Sequence, residues 1–184
     1  MEKYGLPSQL GKCTFDNYIA SEEWQKRSKA TALKFLNSNG EWFYAGGQSG
    51  AGKTHLCTAI VGEMLKQGKS AKYMLWRDEI VKLKANVNDD IAYSRQMDEL
   101  KSADVLYIDD FFKVVGGNKP TGGDINIAFE LLNFRYNDSK LITIISSELI
   151  TDEIIDIDEA IAGRIISKSK GYCINLIKNR DRNY

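Results

Sequence analysis

The 184-residue chain is poor in several residue types on which common chemistries depend. It holds one histidine, His55, so a histidine-based metal site or a serine–histidine triad has little to build on. Its three cysteines, Cys13, Cys57 and Cys173, are odd in number, far apart and match no zinc or redox spacing, so reduced thiols are the simpler reading. There is no charge excess: 25 Lys and Arg balance 25 Asp and Glu. Nothing global therefore draws the chain to nucleic acid or membrane, and contact with DNA would need a local basic patch. No apolar run reaches membrane-spanning length, and Met1–Gly5 lacks the apolar core of a secretion signal. A bacterial or phage-encoded cytoplasmic protein is expected, with no membrane partner. The length suits one domain with a sizeable core.

What the chain does have is an alternation of helical and apolar extended segments. Ser21–Asn37 reads as an amphipathic helix, stopped by Asn37–Gly40. Glu41–Ala45 is a short strand, Lys53–Lys66 a helix ended by Gly68, and Ala71–Trp76 a second strand. Asp78–Lys84 and Asp89–Lys101 are expected helices around a polar break at Asn86–Asn88. Val105–Ile108 is an apolar strand, Gly116–Gly123 a loop and Ile125–Tyr136 a helix. Leu141–Ile145, the helices Thr151–Ile155 and Glu159–Ser167, and the strand Tyr172–Leu176 complete the series, before a polar basic tail over 178–184. Apolar central strands between helices predict a parallel α/β sheet covered on both faces.

Gly47-Gln48-Ser49-Gly50-Ala51-Gly52-Lys53-Thr54 fits the phosphate-loop pattern G-x-x-x-x-G-K-S/T in full, between a strand and a helix as that pattern requires. Glycines let several backbone N–H groups turn toward one phosphate, and the helix start adds its positive end. Lys53 is expected to reach the β and γ phosphates of ATP, or the β phosphate of ADP, and Thr54 to ligate Mg2+.

Val105–Asp110 follows about fifty-five residues later and sets two carboxylates at a strand's C-terminal edge, where open α/β sheets bind ligands. Asp109 is the expected magnesium holder and Asp110 the group that polarises the attacking water; alone, such a pair would be a capped turn. Ile142–Ser147, running into Glu148, ends another strand in polar groups. Ser146, Ser147 and Glu148 are candidates to contact the γ-phosphate, or the serines satisfy strand-end backbone groups. Arg164 lies on a predicted helix, as a charge-neutralising finger or as a solvated arginine.

Together these segments resemble the AAA+ ATPases of the DnaC/DnaI type, the bacterial replicative helicase loaders; the IstB-type transposition helpers share most of the features. The resemblance runs from about residue 12 to 177, through Cys13–Tyr18, the phosphate loop, Tyr107–Phe112, Phe129–Asn137, Ile144–Glu148 and Ala162–Ile166. It implies a three-layer P-loop fold with a mostly parallel five-stranded sheet and no C-terminal lid. It also implies an ATPase that binds single-stranded DNA, self-assembles and delivers a ring helicase. By resemblance Asp109 and Asp110 are the magnesium and catalytic carboxylates, Ser147 and Glu148 the sensor region, and Arg164 a finger acting on a neighbouring subunit. His55 joins the nucleotide-binding group, and the 1–20 segment brings Phe15 and Tyr18 near the adenine. Read from the residues alone, that aromatic island equally anchors the N-terminal segment to the core.

Two departures stand out. Relatives often carry asparagine or aspartate where Glu148 stands, and a glutamate near the γ-phosphate would need a water or an arginine between them. No clear second sensor arginine is visible; Arg180 and Arg182 lie in the tail. The chain also leaves no room before Phe15 for the helicase-gripping domain of relatives. For DNA, Lys66, Lys69, Lys72, Arg77, Lys82 and Lys84 form a basic stretch with Tyr73 and Trp76 interleaved, which fits either a strand-tracking groove or a solvated face over core aromatics. Rival classes are an IstB-type helper preferring duplex DNA, a small-molecule P-loop kinase, and a nucleotide-binding module that hardly hydrolyses. The Gly116–Gly123 loop has Lys119 but no arginine to cover an acceptor phosphate, which counts against the kinase.

Overall fold

A computed structural model describes residues 10–177 except 115, 117 and 118, so the tail with Arg180 and Arg182 lies outside the described residues. Five strands, β1 (Trp42–Gly47), β2 (Ala71–Leu75), β3 (Val105–Asp109), β4 (Ile142–Ser146) and β5 (Cys173–Leu176), form one sheet in the order β2-β3-β4-β1-β5. Every pairing is parallel. The three inner strands are buried at every residue, whereas the edge strands β2 and β5 mix buried with accessible positions. Parallel sheets with both faces covered leave inner strands no solvent side, which is why they read as unbroken apolar runs.

Helix α1 (Glu23–Phe35) packs on α2 (Lys53–Lys66), and α2 crosses β1, β3 and β4 on one face. The core there gathers Phe35, Phe43, Leu56, Ile60, Met64, Tyr107 and Ile144. The other face carries α3 (Trp76–Ala85), α4 (Asp90–Ser102), α5 (Gly122–Asn137), α6 (Thr151–Ile155) and α7 (Glu159–Lys168). Trp42, Met74, Trp76, Leu106, Ile108, Leu131 and Ile161 fill that core. The helix after β1 thus lies on one face and those after β4 on the other. The carboxyl ends of β1 and β4 open between them the crevice in which ligands of such sheets sit.

Most boundaries shift by one to three residues from the sequence expectation, and three of them have an identifiable local reason. Residue 76 begins α3 instead of ending β2, because the Trp76 ring is buried against Phe111 and Phe112. Helix α5 starts at Gly122 rather than Ile125, since Thr121 and Asp124 form a capping box: Asp124 N donates to Thr121 Oγ1 at 3.3 Å and Thr121 N to Asp124 Oδ2 at 2.8 Å. At α1, Ser21 is not the cap residue; its hydroxyl and the Glu22 N–H both donate to Gln25 Oε1, at 3.0 and 2.9 Å.

A buried cation ties α4 and α5, on the same face, to the sheet. Arg135 on α5 is fully buried and donates to Thr143 Oγ1 (2.9 Å), Ile142 O (2.7 Å), and Leu100 O, Lys101 O and Ala103 O (3.1, 3.0 and 2.9 Å). It therefore caps the C-terminal carbonyls of α4, which have no partner within their own helix, and ties them to β4. Replacing Arg135 with Ala leaves buried carbonyls unpaired and opens a void, at a cost on the order of 3 kcal/mol. At this chain length thermal unfolding should shift down by about 6 °C or more, and Lys should rescue poorly because it lacks the planar fork of donors. A shift below about 2 °C would contradict this role.

Candidate functional site

The phosphate loop leaves β1 through Gly47, at φ 109°, where an added Cβ would lie 2.0 Å from Leu176 O of β5. Only glycine allows that close approach. Gly47 N donates to Ser147 O at 3.1 Å and Gln48 N to Leu176 O at 3.0 Å, so both strands flanking β1 fix the loop's entry. The loop then turns through Gly50 and Gly52, both at φ 75°, into the first turn of α2. Lys53 Nζ folds over it, donating to Gly47 O (2.9 Å) and Gln48 O (2.6 Å). Burial lowers the Lys53 ammonium from its ordinary range, opposed by the nearby charges of Glu148 and Asp110.

Thr54, one residue on, donates to Asp109 Oδ1 at 3.2 Å. That carboxylate is buried and accepts three further hydroxyls: Tyr107 (2.8 Å) and Ser146 on Oδ1, and Tyr73 (3.0 Å) on Oδ2. Burial, then the nearby carboxylate charge, drives the Tyr73 phenol upward, and burial does the same to Tyr107, so both remain protonated donors. Thr54 and Asp109 present hard oxygens to one spot, the donor set that magnesium takes.

After Asp109 the chain turns sharply, with Asp110 and Phe112 in left-handed backbone (φ 56° and 60°). Phe111 N donates to Ser146 O at 2.8 Å, and Asp110 N to Ser146 Oγ at 3.3 Å. The Phe111 and Phe112 rings stack at 4.1 Å, edge-on to Trp76. The turn delivers Lys113, whose ammonium lies 3.2 Å from Asp110 Oδ2 and 2.9 Å from Glu148 Oε1. The bond to Glu148 raises the Lys113 ammonium, and the bond to Lys113 lowers the Glu148 carboxyl. Residues Ser49–His55, Asp110, Lys113 and Glu148 line one open cleft of about 390 Å³.

The structure thus brings Ser49 through His55, Asp110 and Glu148 together around one cleft, with Gly47, Gln48 and Asp109 directly behind it. It does not bring Ser147 there. That hydroxyl is buried and donates to Phe111 O at 2.7 Å, so Ser147 holds the acidic turn and does not stand as a sensor facing phosphate. Ser146 likewise serves Asp109 and the Asp110 amide. Arg164 lies away from the cleft, donating to Asn133 Oδ1 (2.7 Å) and Ala160 O (2.7 Å), with its guanidinium 4.5 Å from the Phe129 ring centroid. Phe15 and Tyr18 are buried in the α2-side core. His55 Nε2 lies 2.8 Å from Thr14 O and 3.0 Å from Asn17 Oδ1. Both are acceptors, since Asn17 Oδ1 also receives the Thr14 N–H, so Nε2 carries the proton.

Of the two readings of the basic stretch, the contacts fit the solvated face over core aromatics. Lys66, Lys72, Lys82 and Lys84 pair with Glu63, Glu99, Glu79 and Asp124, and Trp76 is buried. Tyr73 turns its hydroxyl inward to Asp109. Sequence reasoning missed Tyr73, Tyr107 and Lys113. Tyr107 stands two residues before Asp109, on the same face of β3, and that period was the available signal; nothing local marked Tyr73 or Lys113.

Comparison with known proteins places this geometry. The family model described as IstB-like ATP binding protein matches residues 8–168. The chain belongs to this family. It is 37% identical to YqaM of Bacillus subtilis over 136 residues, 73% of this chain and 42% of that protein. It is 32% identical to the phage-like element PBSX protein XkdC of the same organism, over 89% of this chain and 56% of that protein. The replicative helicase loader DnaC of Buchnera aphidicola is 33% identical over 58% of this chain and 45% of its own length. The chain thus spans about half the length of these relatives. Among solved structures, DnaI superposes with a TM-score of 0.73 at 19% identity, covering 94% of each chain. AMPPCP-bound DnaA from Aquifex aeolicus superposes at 0.72 and 21% identity, over 92% of this chain and 51% of that one. The fold is that of the AAA+ domains of these replication proteins, a five-stranded parallel α/β P-loop core.

The bond from His55 to the 14–17 segment makes a local prediction. Asn17 Oδ1 accepts from Thr14 N (2.8 Å), and Asn17 Nδ2 donates to Lys12 O (2.7 Å). Asn17→Ala should speed amide hydrogen exchange across residues 12–18 by about tenfold, with β3 amides unchanged. Equal acceleration in β3 would mean that the whole fold, not this clasp, had loosened.

Proposed function

We propose that the chain is the ATP-hydrolysing AAA+ module of a bacterial or phage-encoded helicase loader, working in the cytoplasm. One observation carries the reading: the phosphate loop with Lys53 and Thr54, and the turn with Asp109 and Asp110, converge on one cleft. Magnesium, held by Thr54 and Asp109, would neutralise charge on the β and γ phosphates. Lys53 leaves the loop carbonyls to reach those phosphates. The backbone amides of Gly50–Lys53, at a helix N-terminus, hold their oxygens. Asp110 orients the attacking water and takes its proton, completing ATP plus water to ADP plus phosphate.

The replication role is supported by the named relatives DnaC and DnaI rather than by a DNA groove, and a ring helicase and single-stranded DNA are the proposed partners. A transposition-helper role is the alternative that the family's description keeps in view. The proposed unit is a single AAA+ domain. Phe15 and Tyr18, behind His55, are proposed to border the adenine. Arg164 is proposed to act on the nucleotide of a neighbouring copy, leaving Asn133 on assembly.

Turnover of ATP under assembling conditions tests this reading. Lys53→Ala and Asp110→Asn should each lower turnover by about a hundredfold or more. Mixing Arg164→Ala with Lys53→Ala protein should recover part of the rate, because each supplies what the other lacks. Wild-type turnover in both single cleft variants would overturn the site, and no recovery on mixing would overturn the finger acting between subunits.

A further inference from the structure

Glu148 poses an electrostatic difficulty for the proposed site. Its carboxylate and that of Asp110 both line the cleft in which a triphosphate would sit. Like charges at such range repel, and desolvation on closure sharpens the cost. Lys113 stands between them, within ion-pair distance of each.

The placement is built into the fold. The left-handed turn at Asp110 and Phe112, the stacked Phe111–Phe112 pair under Trp76, and the Ser147 hydroxyl on Phe111 O together fix where the Lys113 backbone emerges. Left-handed backbone at non-glycine residues is costly and persists where the surroundings enforce it. Lys113 N also donates to Asp110 O at 2.9 Å. Only the long side chain is free to swing. It is 33% exposed, as is Asp110, with Glu148 at 39%. Ion pairs at that exposure hold weakly, so phosphate oxygens can compete for the ammonium. Lys53 and Lys113 are the two lysines among the cleft-lining residues, one from the phosphate loop and one from the turn after β3.

We propose that Lys113 is the γ-phosphate reader of this site: its ammonium bridges Glu148 to the terminal phosphate of ATP, screening that carboxylate and releasing Asp110. This rests on the ATP-binding reading above. ADP, lacking the terminal phosphate, leaves Lys113 on its two carboxylates. Lys113 is thereby a specificity-determining residue, distinguishing the triphosphate from the diphosphate.

Equilibrium binding of ADP and of a non-hydrolysable ATP analogue, both with magnesium, tests it. Lys113→Met should weaken the analogue by about tenfold or more, the worth of one charge-assisted hydrogen bond, and ADP by less than about twofold. Lys113→Arg should restore the preference to within about threefold. Adding Glu148→Gln to Lys113→Met should recover part of the loss, because the unscreened charge is gone. Equal weakening of both nucleotides, or no weakening of either, would overturn the proposal while leaving ATP binding intact. Wild-type protein that binds neither nucleotide would instead overturn the reading on which it rests.

Discussion

The site depends on one buried carboxylate, Asp109, that makes no ion pair among the described residues. Asp109 is held by four hydroxyls, from Thr54 on α2, Tyr73 on β2, Tyr107 on β3 and Ser146 on β4. A carboxylate taken out of water needs such donors, and charge-assisted hydrogen bonds are the strong ones. Each donor comes from a different element, so satisfying Asp109 aligns three neighbouring strands and the nucleotide helix at one edge. The inner strands can be almost wholly apolar, Thr143 beside Arg135 apart, because most of their polar groups are concentrated where those strands end.

From that edge the remaining geometry follows. Ser146 and Ser147 hold the turn after Asp109 through Asp110 N, Phe111 N and Phe111 O. Ser147 also exchanges backbone bonds with β1, accepting from Gly47 N and donating to Ala45 O. The entry of the phosphate loop and the acidic turn are thereby fixed to the same two residues. A shift in one must be felt by the other, which is the mechanical requirement for a nucleotide-sensitive switch.

Much of this was legible in the sequence, and the limits have physical causes. The phosphate loop is local: its glycines, lysine and threonine are contiguous, so spacing alone located it. The strands were legible because burial on both faces makes them continuously apolar. That Ser146 and Ser147 satisfy strand-end backbone groups was one of two open readings; which groups they satisfy was not legible, because it depends on β4 lying between β3 and β1, an order that spacing does not encode. For Tyr73 and Trp76 the sequence left open a strand-tracking groove or core aromatics; both turn inward, Lys66 and Lys82 pair within their own helices, and Lys72 and Lys84 pair with acidic residues of α4 and α5. Lys113 escaped notice because its two partners are 3 and 35 positions away, on a turn and beyond another strand. The difficulty that Glu148 posed in the sequence, a carboxylate facing phosphate, is the one to which Lys113 answers.

The central claim is that Asp109 is a magnesium-holding group positioned by hydroxyls, not a capped strand end. The direct measurement is ATP affinity with and without magnesium, in wild-type and Asp109→Asn protein. The account predicts that magnesium tightens wild-type binding by about tenfold or more and that Asp109→Asn loses most of this gain. An Asp109→Asn protein that keeps the full magnesium effect would contradict it.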